Sequence, residues 1–339
     1  MRRRVLIISC GSVLILLLLV GLSRHAGINE QDSFFGYSRS QSQSGGTGSP
    51  TFPMTAPGDY EFSFKQDDLE RSYRVHIPLD YDPSVSYPVL FGFHGGFGNA
   101  EQFARSTHLS ELADQRGFIA VYGQGTSWGV LQAPVWNAGD CCGRAVDSDK
   151  NVDDVGYARE VIEEIKKKYH VDSSRIYMTG MSNGGMLVQR LACEASDLFS
   201  GAATVSGTIG ISTCRPARQM PIFIMHGTND ENVPYEGGRG SKAVNGSSHI
   251  PVEQEFADWA ARNACTGAVS TSPVVHAGSD GKSVDRLSNA HCAEPVVLYR
   301  VNNGVHEWPG GMAKANALER PTPTSAIDTS KTIVDFFGL

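Results

Sequence analysis

The chain has 339 residues, a formal net charge of −7 and 40% apolar residues. That length allows a sizeable buried core, in one large domain or two small ones. The acidic balance argues against nucleic acid as a partner, because phosphate binding needs a basic surface.

The chain opens on "MRRR" and an unbroken apolar run over residues 5–22. Basic residues ahead of such a run read as a signal peptide or signal anchor over residues 1–23. The run sits at the lower limit for a bilayer-spanning helix. Its basic flank stays on the cytoplasmic side and sends the remainder outward. It has no polar face, which argues against a buried core helix. No clear A-x-A cleavage site is present, so an N-terminal membrane anchor and a cleaved leader both stand. Residues 24–57, with "YSRSQSQSGGTGSP", read as a flexible tether. The folded domain is expected over 58–339.

Seven cysteines fit an exported protein, secreted, extracellular or periplasmic. Cys10 lies in the apolar run. The other six, Cys141, Cys142, Cys193, Cys214, Cys265 and Cys292, allow up to three disulfides. No C-x-x-C pair exists, so a zinc site is disfavoured. Asn245-Gly246-Ser247 is a glycosylation sequon.

Apolar β-type runs then alternate with helical patterns. "SYRVHIP" is an early strand, and "YPVLFGF" is apolar throughout, as a strand covered on both faces should be. One helix is expected over about 100–115, with Phe103, Leu109 and Leu112 inward. "GFIAVYG" is a strand. Val155, Ala158, Ile162, Ile165 and Tyr169 recur at helical spacing. "RIYMTG" is a strand and "NGGMLVQRLACE" a helix. "SGAATVSG" and "PIFIMHG" are strands, Phe256 and Trp259 lie on a helix, and "PVVLYRV" is the last strand. "TSKTIVDFFG" closes the chain as a helix capped by Asp328 or Thr329. The alternation predicts an α/β fold, a mostly parallel central sheet with helices on both faces.

"G-M-S-N-G" fits G-x-S-x-G between a strand and a helix, the setting of a nucleophile elbow. Ser182 is the candidate nucleophile. Gly180 and Gly184 permit the tight approach, and Gly185 lets the helix pack near the sheet. A Gly-rich turn with a capping serine would show the same letters. Three further features weigh against that bland reading. "FHGGFGN" at 93–99 ends a buried strand and brings backbone amides forward. Gly96 N–H and Asn183 N–H are the candidate oxyanion-hole donors. Asp230 follows the buried "PIFIMHG" run. His306 follows the last strand. The order Ser182, Asp230, His306 is that of α/β-hydrolases, with Asp230 orienting the imidazole and His306 moving the proton.

The motifs "HGGFGNAEQF", "WNAGDCCG", "NVDDVGY", "MTGMSNGGM", "MHGTNDENVPYEGG" and "HEWPGG" resemble the secreted esterase family that includes feruloyl esterases and polyhydroxybutyrate depolymerases. The resemblance covers about 73–339. It implies an α/β-hydrolase fold, no cofactor, a nucleophile at Ser182, an acid at Asp230, a base at His306 and an oxyanion donor at Gly96. Phe97 departs from the small or polar residue of many relatives and is expected to narrow the acyl pocket. No separate polymer-adsorbing domain is evident, which favours soluble esters over a solid polyester.

Phe97, Trp128, Trp136 and Trp308 are candidate substrate contacts. Trp128 and Trp136 serve equally well as packing beneath their loop, and Trp308 as a prop for His306. Asp147, Asp149, Asn151 and Asp153 have partial calcium-loop spacing, but the turn glycine and the twelfth-position Glu are missing. Asp153 as a helix cap and Asp154 as a hydrogen-bond acceptor near the site fit better, and no metal is expected. Cys265–Cys292 is the favoured pairing. A bond from Cys141 or Cys142 to Cys193 would clamp the loop to the nucleophile helix. His94 and His226, each before a strand-end glycine, read as structural.

The expected function is a serine carboxylesterase acting through an acyl-enzyme on feruloyl or related carbohydrate-linked esters. A short-chain hydroxyalkanoate esterase comes second, and a serine peptidase third. A non-catalytic binding protein on the same scaffold is disfavoured, because such proteins lose a triad member.

Overall fold

The computed structural model describes residues 56–128, 133–141, 152–243, 246–277, 280–312 and 323–339. The apolar run at 5–22, Cys10, Cys142, Asp147, Asp149, Asn151 and Asn245 lie outside the described residues. Among the described residues, no helix is long and apolar enough to cross a membrane.

The first hairpin pairs Gly58–Gln66 (β1) with Leu69–Ile77 (β2), in register from Gly58 opposite Ile77 to Gln66 opposite Leu69. The sequence reading passed over β1. Its Tyr60, Phe62 and Phe64 alternate with polar residues, which is the pattern of a half-covered edge strand. Tyr87–Phe93 (β3) is buried along its whole length. The single helix expected next is two: Ala100–Thr107 (α1) and Leu109–Arg116 (α2). His108 between them has φ 56°, a left-handed conformation that ends the first helix and starts the second. Ile119–Gly123 (β4) follows, then the short hairpin Thr126–Trp128 (β5) and Ala133–Val135 (β6).

Asp154–Lys168 (α3) is capped by Asp153, whose carboxylate accepts from Gly156 N, as expected of that residue. Val171–Met181 (β7) leads to Asn183–Glu194 (α4), and Gly201–Val205 (β8) to Ile222–Gly227 (β9). Gly238–Arg239 (β10) and Ser248–His249 (β11) pair with each other. After Val252–Arg262 (α5) come Val269–Val275 (β12), Ser283–Asn289 (β13) and Val296–Asn302 (β14). Thr329–Phe337 (α6) is capped by Asp328, which accepts from Lys331 N.

The main sheet has the order β1-β2-β4-β3-β7-β8-β9-β14-β13-β12. β4 through β14 are parallel, with antiparallel strands at both margins. This is the α/β-hydrolase arrangement. β12 and β13 lengthen the sheet beyond the expected last strand; β12 is exposed along most of its length and β13 is mostly half-buried, so neither shows the apolar run of the central strands.

Period-two alternation splits the core between the two faces. Phe91, Phe93, Val121 and Ile224 pack with Tyr157, Leu187 and Trp259 of α3, α4 and α5. Leu90, Ala120, Phe223 and Met225 pack with Phe103, Leu109 and Val334 of α1, α2 and α6. Burying one such side chain contributes roughly 1.5–3 kcal/mol. The carboxyl ends of the parallel strands lie along one edge, and every chain turn considered below leaves from that edge.

Candidate active site

Ser182 stands between β7 and α4 with φ 55° and ψ −123°. A non-glycine residue there costs on the order of 1–3 kcal/mol, and surrounding bonds must impose it. Its amide donates to Val205 O at 2.9 Å, and its carbonyl accepts from Met186 N at 2.8 Å. The glycines make the bend sterically possible. A Cβ on Gly184 would lie 2.1 Å from Phe93 O, and one on Gly180 would lie 2.5 Å from Gly184 O.

The loop after β3 comes alongside this bend. A Cβ on Gly95 would be 3.4 Å from Ser182 Cβ, and one on Gly96 would be 3.8 Å from Asn183 Cβ. Asn183 is the first residue of α4, so its amide has no acceptor within the helix and sits at the positive end of the helix dipole. The loop is fixed from behind. His94 Nδ1 donates to Gly95 O at 2.8 Å while its Nε2 accepts from Gly125 N at 3.0 Å. Phe97 N donates to Pro134 O at 2.8 Å. The Asn183 side chain accepts from Trp136 N and donates to Trp136 O, at 2.8 and 3.0 Å. That side-chain clamp was not read from the sequence, where only the Asn183 amide carried a role.

The candidate substrate contacts separate. Trp136 has 0% exposure, stands edge-on to Phe93, and donates Nε1–H to His94 O at 2.9 Å. It is packing beneath the loop and presents no face to a substrate. Trp308 is also buried, with Nε1 donating to Ser330 Oγ at 3.0 Å and its ring edge-on to Phe103. It anchors the segment just after His306 rather than contacting a ligand. Both corrections share a cause: an indole buries too much apolar area to stay out of a nearby core. Phe97 is 57% exposed at φ 63°. Trp128 ends β5.

Asp230 and His306 meet as the sequence order implied, with His306 Nδ1 at 2.7 Å from Asp230 Oδ2. Nδ1 donates to the carboxylate, which leaves Nε2 as the free acceptor. The other carboxylate oxygen accepts from Asn232 N at 2.9 Å and Val233 N at 2.8 Å. The loops bearing Asp230 and His306 are bonded together: Thr228 N donates to Val301 O and Asn229 N to Gly304 O. His226 adds a contact that its sequence position hid. Its Nε2 donates to Val233 O at 2.8 Å and lies 3.4 Å from Asp230 Oδ2. Burial raises the Asp230 pKa, but hydrogen bonds from His226 and His306 outweigh it and hold the carboxyl well below its usual range.

The end of β8 joins both halves. Val205 O holds the Ser182 amide, and the next residue, Ser206, reaches Glu307 O through Oγ at 3.5 Å while its amide bonds Met225 O. Thr208 Oγ1 is 3.1 Å from His249 Nδ1, and burial, with the His226 charge next, lowers the His249 pKa.

Below this loop lies a buried carboxylate, Glu255. It accepts from Gln189 Nε2 of α4 at 2.5 Å and from Ile209 N at 2.7 Å. Burial pushes its carboxyl up to about 8 against the pull of the Ile209 amide. The unfolded chain ionises Glu255 near its ordinary 4.5. Between those values the folded protein keeps a proton that the unfolded chain has released. Stability therefore falls as pH rises through the window. The wild type is expected to lose stability relative to Glu255→Gln, by up to about 1.4 kcal/mol per pH unit. Chemical denaturation at several pH values measures this; parallel profiles for the two proteins would contradict it.

Asp154 is fully buried, paired with Arg71 at 2.6 Å, and accepts from Asn137 N at 2.6 Å just beyond Trp136. It is thus a hydrogen-bond acceptor under the site, as expected. Cys265 and Cys292 are bonded, also as expected. The expected clamp to Cys193 is overturned, because Cys193 pairs with Cys214. Cys141 Sγ is 4.0 Å from Asn183 Nδ2, at the start of α4. Cys193 lies ten residues further along that helix, roughly 15 Å away at 1.5 Å per residue, out of reach of a disulfide. Cys141 is itself disulfide-bonded. Among the described residues, no group of side chains is placed to hold a metal ion.

Comparison with known proteins finds esterases. The family model "Esterase PHB depolymerase" matches residues 72–232, which include Ser182 and Asp230. Feruloyl esterase B of Piromyces equi is 29% identical over 243 residues, 70% of this chain and 42% of that protein. The chain therefore spans under half the length of that relative. The putative esterase NocK of Nocardia uniformis subsp. tsuyamanensis is 29% identical over 278 residues, 78% of each chain. Among solved structures, an acetyl xylan esterase from Aspergillus awamori has a TM-score of 0.51 at 14% identity, covering 79% of this chain and 93% of that one, which is a likeness of fold. The chain is thus similar to esterases of the feruloyl esterase and polyhydroxybutyrate depolymerase type, with the family model matching residues 72–232.

Proposed function

We propose that this chain is a serine carboxylesterase in which Ser182, His306 and Asp230 form the catalytic triad. The observation that carries the reading is that a serine on a strained bend and a hydrogen-bonded Asp–His dyad both stand at the carboxyl ends of parallel strands of one sheet. His306 Nε2 takes the proton from Ser182 Oγ as the hydroxyl attacks the ester carbonyl. Asp230 keeps the tautomer and stabilises the imidazolium. Gly96 and Asn183 amides receive the oxyanion, each contributing about 3 kcal/mol. The alcohol leaves with the proton from His306. Water, deprotonated by His306, then releases the acid from the acyl-enzyme.

Feruloyl or related carbohydrate-linked esters are the proposed substrates. The support is the relatives' own names, which include feruloyl esterases and a bifunctional acetylxylan esterase/xylanase. Exposed Phe97 offers an aromatic face beside Gly96. A short-chain hydroxyalkanoate esterase is the second reading, supported by the family model's description. We place the protein outside the cytoplasm, with residues 1–23 as signal peptide or anchor, 24–57 as tether and 58–339 as the catalytic domain. The Cys193–Cys214 and Cys265–Cys292 bonds support an oxidising compartment.

A panel of methyl ferulate, acetylated xylan, hydroxybutyrate oligomers and a peptide amide tests specificity. Methyl ferulate is expected to give the highest kcat/KM. Preference for hydroxybutyrate oligomers would select the second reading, and turnover of the amide alone would defeat both.

A further inference from the structure

His306 rides on an irregular loop after β14, so something other than a helix or strand must hold its ring. The acid loop grips one side: Asn303 N donates to Thr228 Oγ1 at 2.9 Å, and Asn229 N to Gly304 O at 2.8 Å. The other side is gripped by residues 280–282, at the turn between β12 and β13. Gly281 O accepts from Asn303 Nδ2 at 3.0 Å. Asp280 accepts from Thr324 Oγ1 at 2.5 Å, and Thr324 O in turn accepts from Gly310 N at 2.7 Å. Between these contacts Lys282 Nζ reaches Glu307, the residue next to His306, at 2.9 Å from Oε1.

That ion pair is almost out of water, with side-chain exposures of 11% and 6%. Among the described residues no other cation pairs with Glu307, and its Oε2 is buried without a partner. A buried pair is weak evidence for stability, since an apolar pair of similar volume often does as well. Its geometry is what an apolar pair lacks: a charge on the outer hairpin fixes one orientation of the residue beside the catalytic base.

We propose that Lys282 is a positioning residue for His306, acting through Glu307. The β12–β13 arm, closed at its base by Cys265–Cys292, is then part of the catalytic apparatus. The inference rests on His306 being the base.

The test compares Lys282→Met, Lys282→Arg, Lys282→Met/Glu307→Gln and His306→Ala in the full chain. Steady-state kinetics on p-nitrophenyl acetate and the rate of Ser182 modification by an alkyl fluorophosphonate are read together with thermal unfolding. Lys282→Met is expected to lower kcat about tenfold to a hundredfold with KM little changed. Fluorophosphonate labelling should slow in parallel. Lys282→Arg should restore most of the rate. The double variant, freed of the unpaired buried charge, should recover thermal stability but stay slow. Wild-type kcat in the folded fraction of Lys282→Met, or in the double variant, overturns the proposal. His306→Ala keeps the two readings apart. If it is inactive, a normal Lys282→Met counts against Lys282 alone. If it is fully active, the base assignment falls, and the inference with it.

Discussion

Ser182→Ala is expected to cut ester turnover by about a thousandfold or more, on the order of 4 kcal/mol in transition-state stabilisation. The substitution removes one oxygen. The amide bond to Val205 O, the carbonyl bond from Met186 N and the strained backbone all stay. Alanine at φ 55° carries much the same strain as serine, so the melting temperature should hardly move. A residual rate over water should persist, because the proposed oxyanion donors, the Gly96 and Asn183 amides, are untouched. Turnover of p-nitrophenyl acetate by the folded variant measures the loss. Equal rates for wild type and Ser182→Ala would leave only a binding protein on this scaffold.

Asp230→Asn is the second large effect, with about a ten-thousandfold loss of kcat expected. The His306 Nδ1–Asp230 Oδ2 bond sets which ring nitrogen bears the proton. An amide NH2 in place of Oδ2 donates where the carboxylate accepted. The ring then turns its lone pair inward and presents N–H to the serine, the wrong tautomer for a base. His226 Nε2 then faces the same NH2 at the longer of its two contacts, while Val233 O remains its acceptor. Stability follows with a definite sign. The Asp230 pKa is lowered on folding, so its contribution is present above the ordinary carboxylate range and disappears as pH falls through the lowered value. Asp230→Asn should therefore be less stable than wild type at neutral pH, with the gap closing in acid. Activity profiles and denaturation at pH 7 and pH 3 examine both halves. Unchanged kcat would remove Asp230 from the triad, and a gap that widens in acid would contradict its lowered pKa.

Much of the site was legible because its signals are local. The glycines around Ser182 are a steric requirement written into adjacent positions: a Cβ at Gly184 has nowhere to go with Phe93 O 2.1 Å away. Asp153 was readable as a cap, and Asp328 as one of two candidates with Thr329, because a capping side chain and the amide it binds are three residues apart. His226 is structural, as expected, but its contact with Asp230 was hidden for the opposite reason. A histidine before a strand-end glycine looks like packing, and only the turn of the Asp230 loop brings that carboxylate back over its ring. Leu109 illustrates a middle case. Its burial was predicted, but the left-handed His108 that starts a second helix there has no sequence signal of its own.

By itself, then, the amino-acid sequence determined the alternation of strand and helix, the bend at Ser182, and the chain order of Ser182, Asp230 and His306 at successive strand ends. These follow from periodicity, sterics and residue type over short stretches. The tertiary structure alone decided that Trp136 and Trp308 are packing, that Cys193 turns to Cys214, that polar β12 and β13 extend the sheet, and that Lys282 lies against Glu307 beside His306. Each of those outcomes depends on which distant segments share a neighbourhood, and burial and pairing between segments far apart in the chain leave no periodic trace in either one.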